Sequence, residues 1–510
     1  MLKTRKLLCL ALVLIMALAS AVGCSKPATA PAPEAPAESG GASEASNLEP
    51  VQLTWYFIGN GQQEDVALIE EKVNEYLKDK INATIKLQCF QWGDEYEDKL
   101  KQMIASRQEF DICFTAAWVN NYMQNAVKGA FVPLNDERDL LSKYAPKTKA
   151  LLGEDFLAGS QIDGINYGIP ANKEKAHSWG FIIKKDLVDK YGFDISTIKS
   201  LEDLEPMLKV IKEKEPNVYG LEALDGESPI KLLDWDVVGD DKCPGVVYND
   251  TKDYKVFNEF EKPETMELLK TVRKYYEAGY IRKDAASVTD YNADEAAGKI
   301  FAATKSLKPG KDAEMSLTHG FEWVQVYITP PVISSRDTMG SIQAISTTSK
   351  NPERALMFLE LFNTDPYLNN LINFGIEGKH YVKVSDNIIK AGPDQTKYNP
   401  GTGWMFGNQF INYLYESEDP RKWEQFEEFN GQATGTKTLG FNFDPSPVKN
   451  EIAAINNLWD KYVPALETGS IDPEINVPKF NEELKAAGID KVIAEKQRQL
   501  DDWVAKMGKK

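Results

Sequence analysis

The chain has 510 residues and a formal net charge of −18, with 42% hydrophobic and 10% aromatic residues. So acidic a composition argues against nucleic acid as a partner and against direct adsorption to anionic lipid. Five cysteines are too few and too scattered for a disulfide framework, and no CxxC or Cys/His spacing points to zinc.

The chain opens on Lys3, Arg5 and Lys6, followed by an unbroken apolar or small-residue run over 7–21 that ends in Ala21-Val22-Gly23-Cys24. That run falls short of the about 20 residues needed to span a bilayer, so residues 1–23 read as a signal peptide. Small residues directly before Cys24 resemble the lipobox of bacterial lipoproteins, in which the cysteine becomes the lipid attachment point; Ala21 stands where that pattern usually has Leu. Beyond Cys24, residues 25–47 hold four prolines and no aromatic, Val, Ile or Leu. Such a stretch cannot bury enough apolar surface to order itself, and 24–47 is expected to be a lipid-anchored tether with a mean span of about 25–30 Å. The remaining chain, about 460 residues, is long enough for two lobes.

The folded body begins with a β-rich run over 51–58 that stops at Gly59-Asn60-Gly61 and gives way to a helical pattern over 64–77. A strand over 83–90, a helix over 94–105 and a strand over 110–116 follow, the signature of a βαβ sheet with parallel strands. Ligands bind such sheets beyond the carboxyl ends of the strands, which singles out 59–63, 91–92 and 115–121. His177, His319 and His380 share no motif and read as structural. Asp234, Asp236, Asp240 and Asp241 cluster without the alternating ligand spacing and central Gly of a calcium loop, so a solvated loop is expected, with no metal and no cofactor. A helix over 448–462 carries Ile452, Ile455, Trp459 and Tyr462 on one stripe. A last helix, capped by Asp490, aligns Ile493, Gln497, Leu500 and Val504.

Several segments, in order, carry a family resemblance. They are Asp111-Ile112-Cys113-Phe114, Lys128-Gly129-Ala130-Phe131-Val132-Pro133-Leu134, and Asp163-Gly164-Ile165-Asn166-Tyr167-Gly168-Ile169-Pro170. Gly180-Phe181-Ile182-Ile183-Lys184-Lys185-Asp186-Leu187 follows, and later Thr347-Thr348-Ser349-Lys350-Asn351-Pro352, with Asn351 placed to cap a helix that starts at Pro352. This succession resembles the extracellular solute-binding proteins of ABC importers, the family that includes the maltose-binding and related oligosaccharide-binding proteins. Residues 373–381 and the tail from Gly440 resemble a lipoprotein subgroup typical of Gram-positive bacteria. The resemblance implies an α/β, two-lobed, periplasmic-binding-protein-like fold, each lobe a βαβ sheet flanked by helices, with additional C-terminal helices. It divides the body into an N-terminal lobe (48–170 plus 298–335), a C-terminal lobe (171–297 plus 336–439) and a helical region (440–510) packed on the C-terminal lobe.

What the resemblance implies about function is capture of a solute, an oligosaccharide above all, in the cleft between lobes. Delivery to a membrane permease follows, by a monomer held on the outer face of the cell membrane through Cys24. No catalytic residue is required. Pyranose rings stack on flat aromatic faces and bond through amides and hydroxyls. The residues placed to do this are Gln62 after the first strand, Trp92 after the second, and Thr115, Trp118 and Asn121 around the loop after the third. Tyr167 and Trp179 flank the first crossover, and Trp235 and Trp404 lie in the expected second lobe. A secreted glycoside hydrolase or lyase is the alternative of another class, although no nucleophile elbow, phosphate loop or metal motif appears. A ligand-sensing lipoprotein serving a receptor kinase would use the same fold.

Overall fold

The computed structural model describes residues 48–508 apart from 224–226, 240, 250–252 and 289–291. Strand β1 (Val51–Gly59) alternates with period two, so Leu53, Trp55 and Phe57 share one face and are buried. Helix α1 (Val66–Ile81) lays Ile69, Val73 and Leu77 on the sheet and ends at Asn82, whose φ of 44° is the left-handed turn that Asn tolerates better than most residues. Strand β2 (Ala83–Gln91) returns parallel to β1 over its whole length. Helix α2 (Asp94–Ser106) sets Asp94, Glu95 and Glu97 in its first turn, where the helix dipole favours negative charge. Strand β3 (Ile112–Thr115) then pairs with the other side of β1. These elements lie within one to four residues of the boundaries read from the sequence.

The chain next adds β4 (Gly168–Pro170), β5 (Ser178–Lys184), β6 (Tyr219–Glu222), β7 (Ile300–Leu307), β8 (Trp323–Tyr327) and β9 (Ile342–Ile345). Two main sheets result: β2-β1-β3-β9-β4 in the first lobe and β8-β5-β7-β6 in the second. Because β9 runs antiparallel to β3 and β4, its start and the ends of β1, β2, β3 and β4 all meet at one edge of the first sheet.

One lateral edge of that sheet is β2, and several of its outward backbone groups are taken by side chains. Asn74 accepts from Ile85 N at 2.6 Å and donates to Ile85 O at 3.3 Å, and Glu70 accepts from Leu87 N at 2.8 Å. Gln62 donates to Leu87 O at 3.3 Å and accepts from Cys89 N at 3.1 Å.

The lobe boundaries differ from those expected. Strand β7, within the segment 298–335 expected in the N-terminal lobe, is hydrogen-bonded between β5 and β6 in the second sheet. Conversely β9, the helices Pro352–Thr364 and Pro366–Phe374, and Tyr398, Met405 and Phe406 fill the core of the first lobe. The physical reason is that an apolar strand or helix stripe tells which face is buried and not which of two sheets buries it. Asn351 does precede a helix that begins at Pro352, with no hydrogen bond from the Asn351 side chain.

The C-terminal helices Lys449–Glu467, Pro473–Ala487 and Ile489–Met507 share one core with the second lobe. Ile455, Trp459, Tyr462, Phe480 and Leu500 pack with Val238, Val247, Phe260 and Leu269. The stripe of Ile452, Ile455, Trp459 and Tyr462 is buried as its spacing predicts. The last helix begins at Ile489 behind Gly488, so Asp490 lies inside the first turn instead of capping it. Lys496 on that helix is fully buried and donates to Cys243 O at 2.8 Å and Pro244 O at 3.1 Å. Cys89 and Cys113 are buried free thiols on β2 and β3, which lie on either side of β1, and Cys243 is buried as well. Among the described residues, no helix is long and apolar enough to cross a membrane.

Candidate functional site

The edge where β1 to β4 end gathers the loops that carry the site. Trp92 follows β2, Trp118 follows β3, and Trp404 arrives from a distant loop that is locked onto the end of β1. Gly59 makes that junction possible, because a Cβ there would lie 2.5 Å from Pro400 O. Gly401 is the second requirement, with φ +69° and Asn60 Nδ2 2.7 Å from where its Cβ would stand. Asn60 then ties the loop down: its N–H donates to Pro400 O at 2.9 Å and its side-chain amide to Asn399 O at 2.9 Å. Two residues beyond Trp404, Phe406 is fully buried and meets Trp55 at 4.6 Å and Phe57 at 4.9 Å between ring centroids.

The three indoles come together. Ring centroids are 6.5 Å apart for Trp92 and Trp118, 6.2 Å for Trp92 and Trp404, and 6.2 Å for Trp118 and Trp404, with interplanar angles of 25°, 21° and 29°. Nearly equal separations rule out a linear stack, in which the outer pair would lie twice as far apart as neighbours. The rings form a triangular cluster, and they remain 45%, 45% and 38% exposed. Two indole N–H groups are satisfied within the protein, Trp92 by Asn60 Oδ1 at 3.3 Å and Trp118 by Gly340 O at 2.8 Å. Part of their apolar surface is therefore open to solvent while those polar handles are held.

The other expected site residues are distributed differently. The Gln62 amide bonds the margin of β2, as described. Thr115 is fully buried and donates to Asn120 O at 2.5 Å, and Asn121 caps a short helix by accepting from Gln124 N at 2.9 Å. Tyr167 is partly buried against the first core, its N–H bonded to Tyr122 Oη at 2.9 Å. Trp179 lies on β5 with the His177 ring edge-on at 6.1 Å and Lys231 Nζ 5.9 Å from its ring centroid. Trp235 meets Phe257 edge-on at 6.4 Å and packs on the second-lobe core. Asn60 was missed as an individual residue, and its position directly after a strand that ends in Gly was the signal.

The remaining polar candidates have local partners. Asp111 accepts from Thr54 N at 2.9 Å and from Ser349 Oγ at 2.5 Å, a structural role. His380 accepts from Ile376 N at 3.0 Å and meets Asp65 at 3.0 Å, and His319 accepts from Trp323 Nε1 at 3.1 Å. His177 Nδ1 lies 2.9 Å from Asp337. Burial pulls the His177 pKa down, but the neighbouring Asp337 carboxylate outweighs it and leaves the pKa raised. The acidic cluster is not wholly a solvated loop, since Asp236 is buried on a short strand, Trp235–Val237, that pairs with Val246–Tyr248; Asp234 accepts from Asn249, Asp236 from Thr438, and Asp241 pairs with Arg336, so these carboxylates face separate partners. Asp240 and Cys24 lie outside the described residues.

Comparison with known proteins agrees with this architecture. Residues 71–377 match the family described as bacterial extracellular solute-binding proteins, and residues 437–505 match a domain of unknown function. A carbohydrate ABC transporter substrate-binding protein of Streptococcus pneumoniae serotype 4 is 31% identical over 457 residues, 89% of this chain and 91% of the relative. Lipoprotein LipO of Bacillus subtilis is 23% identical over 321 residues, 58% of this chain and 61% of its own. The crystal structure of the N-glycan transport solute-binding protein NgtS of Streptococcus pneumoniae superposes with TM-score 0.81 at 31% identity, covering 90% of this chain and 99% of that one. Its complexes with Man1GlcNAc and Man5GlcNAc superpose with TM-scores of 0.72 and 0.68, each at 30% identity. Sequence identity barely changes across the three, so the falling TM-score is a difference of conformation. The two Streptococcus pneumoniae proteins are named as transport proteins. Parallel strands whose ends gather at one edge of a sheet, a second sheet reached by crossovers, and a match over more than half its length together make this chain a member of the bacterial extracellular solute-binding protein family.

Proposed function

We propose that this chain is the sugar-capturing component of an ABC importer, held outside the cell by a lipid on Cys24. An oligosaccharide lies on Trp92, Trp118 and Trp404, the second lobe closes over it, and a permease accepts the closed form. The sugar leaves chemically unchanged. The observation that carries this reading is the triangle of near-parallel, half-exposed indoles, whose faces match the C–H faces of pyranose rings. The relationship to a carbohydrate transporter subunit and to NgtS supports the same class of ligand. The lower TM-scores against the sugar complexes accord with an open arrangement of the present structure.

A thermal-shift and calorimetry panel of neutral oligosaccharides, Man5GlcNAc included, tests the proposal. A sugar at 100 times its Kd adds about 2.7 kcal/mol of stability, a shift that melting curves resolve. A panel in which no sugar moves the melt, or steady release of cleaved sugar on long incubation, would overturn it. The anchor is tested separately: Cys24→Ser is expected to release the protein from membranes into the medium.

A further inference from the structure

Beside the tryptophan cluster stands a polar group whose bonding is incomplete. The chain leaves β4 at Pro170 and crosses toward β5 through Asn172, Lys173, Glu174 and Lys175. This segment is fixed to the Trp404 loop: Asn172 N donates to Gly407 O at 2.9 Å, Gln409 N donates to Asn172 O at 2.8 Å, and the Asn172 and Asn408 amides bond at 2.9 Å. Gln409 Nε2 also donates to Trp404 O. Held this way, Lys173 places its ammonium 5.9 Å from the Trp404 ring centroid and 2.7 Å from Glu174 Oε1. Lys308, just past the end of β7 in the second lobe, reaches the same oxygen at 3.2 Å.

Both cations therefore sit on one oxygen of Glu174. The other, Oε2, is itself shielded from solvent in this structure and has no described donor within hydrogen-bonding distance, the whole side chain being 10% exposed. A carboxylate this enclosed is costly unless it is fully bonded. Burial pushes its pKa up, yet Lys173 and Lys308 overcome this and hold it down at about 2, so the group is ionised. An ionised acceptor with an unbonded oxygen, one ammonium away from a sugar-stacking ring, is satisfied by a hydroxyl donor once that oxygen is uncovered.

We propose that Glu174 Oε2 accepts a hydrogen bond from a hydroxyl of the sugar stacked on Trp404, with Lys173 as a neighbouring donor and Lys308 fixing the carboxylate from the second lobe. This rests on the oligosaccharide reading above. Lys308 belongs to the second lobe and already pairs with Glu174 in this structure, so the carboxylate joins the sugar's hydrogen bond to a contact made by the second lobe. The ligand so recognised is neutral and polyhydroxylated, since a carboxylate held ionised repels an acidic sugar.

The deciding variant is Glu174→Asp. It keeps the charge that Lys173 and Lys308 pair with, and it withdraws the free oxygen by one methylene. Calorimetry with Man5GlcNAc, or with whichever neutral oligosaccharide of the panel the wild-type protein binds, is expected to show affinity lowered on the order of tenfold or more, with the ligand-free melt little changed. Glu174→Gln is expected to weaken binding as well and to lower the melt, and Lys308→Met to do so by a smaller factor. Wild-type binding with an unaltered Kd in Glu174→Asp overturns the inference alone, as does a set of variants whose affinities simply follow their melting temperatures. A wild-type protein that binds no sugar in the panel removes the oligosaccharide reading and this inference together.

Discussion

Tryptophans in the two lobes stand in opposite relations to their neighbours. Trp92, Trp118 and Trp404 lie within 29° of parallel and stay 38–45% exposed. In the second lobe, Trp235 meets Phe257 at 73° and the His177 ring meets Trp179 at 80°, the edge-to-face geometry by which rings satisfy one another's quadrupoles. Trp55, in the first core, likewise meets Phe358 and Phe362 at 67° and 72°. Rings that turn edges to faces have found their partners inside the protein. Rings that lie nearly parallel with surface open have not, and they are the ones placed at the carboxyl ends of parallel strands.

The largest effect that can break this comparison comes from Trp55. Trp55→Ala deletes a fully buried ring and the Nε1 bond to Gln343 at 2.8 Å, and is expected to cost about 3–5 kcal/mol in urea unfolding. Trp118→Ala and Trp404→Ala are expected to leave stability nearly intact and to lower sugar affinity by about 5- to 150-fold, the equivalent of about 1–3 kcal/mol. If either instead melts like the Trp55 variant while binding normally, the rings are core and the comparison collapses. Trp235→Ala should do the reverse, lowering the melt and leaving affinity within a factor of about two.

A smaller effect concerns pH. His177 is raised in the folded state by Asp337, so its pairing stabilises the protein fully below the unfolded value near 6.5 and ceases to do so as pH rises through the folded pKa. The melting temperature of wild type relative to His177→Gln should therefore be highest near pH 6 and fall toward pH 9. A difference that grows with pH contradicts the assignment. Smallest of all is the chemistry of the thiols: burial pushes Cys89 up to about 12 and Cys113 further, so a thiol reagent should react slowly with both in the folded body and readily with both after unfolding.

Much of the fold was legible because its signals are local. The β1–α1–β2–α2–β3 order follows from apolar periods of two and 3.6, and the buried stripe at Ile452, Ile455, Trp459 and Tyr462 from the same logic. Sheet membership was not legible, since β7 and β9 are short apolar runs that either sheet could have taken. Of the site, Trp92 and Trp118 followed from strand ends, whereas Trp404 was assigned to the wrong lobe. Its position depends on Phe406 reaching a core more than 300 residues back in the chain and on Gly59 admitting Pro400, contacts that no local pattern announces. Thr115 and Asn121 were sensible by position, but their side chains bond the loop itself, which short polar side chains commonly do.

The margin of β2 has a consequence for encounters between copies of the protein. An edge strand ordinarily offers a row of unpaired amides and carbonyls on which a strand from another molecule can build. Here Asn74, Glu70 and Gln62 occupy the outward groups of Ile85, Leu87 and Cys89, so the sheet ends in side chains before a neighbour can extend it. Copies of the protein that meet at high concentration can therefore collide along this margin without templating one another into aggregates.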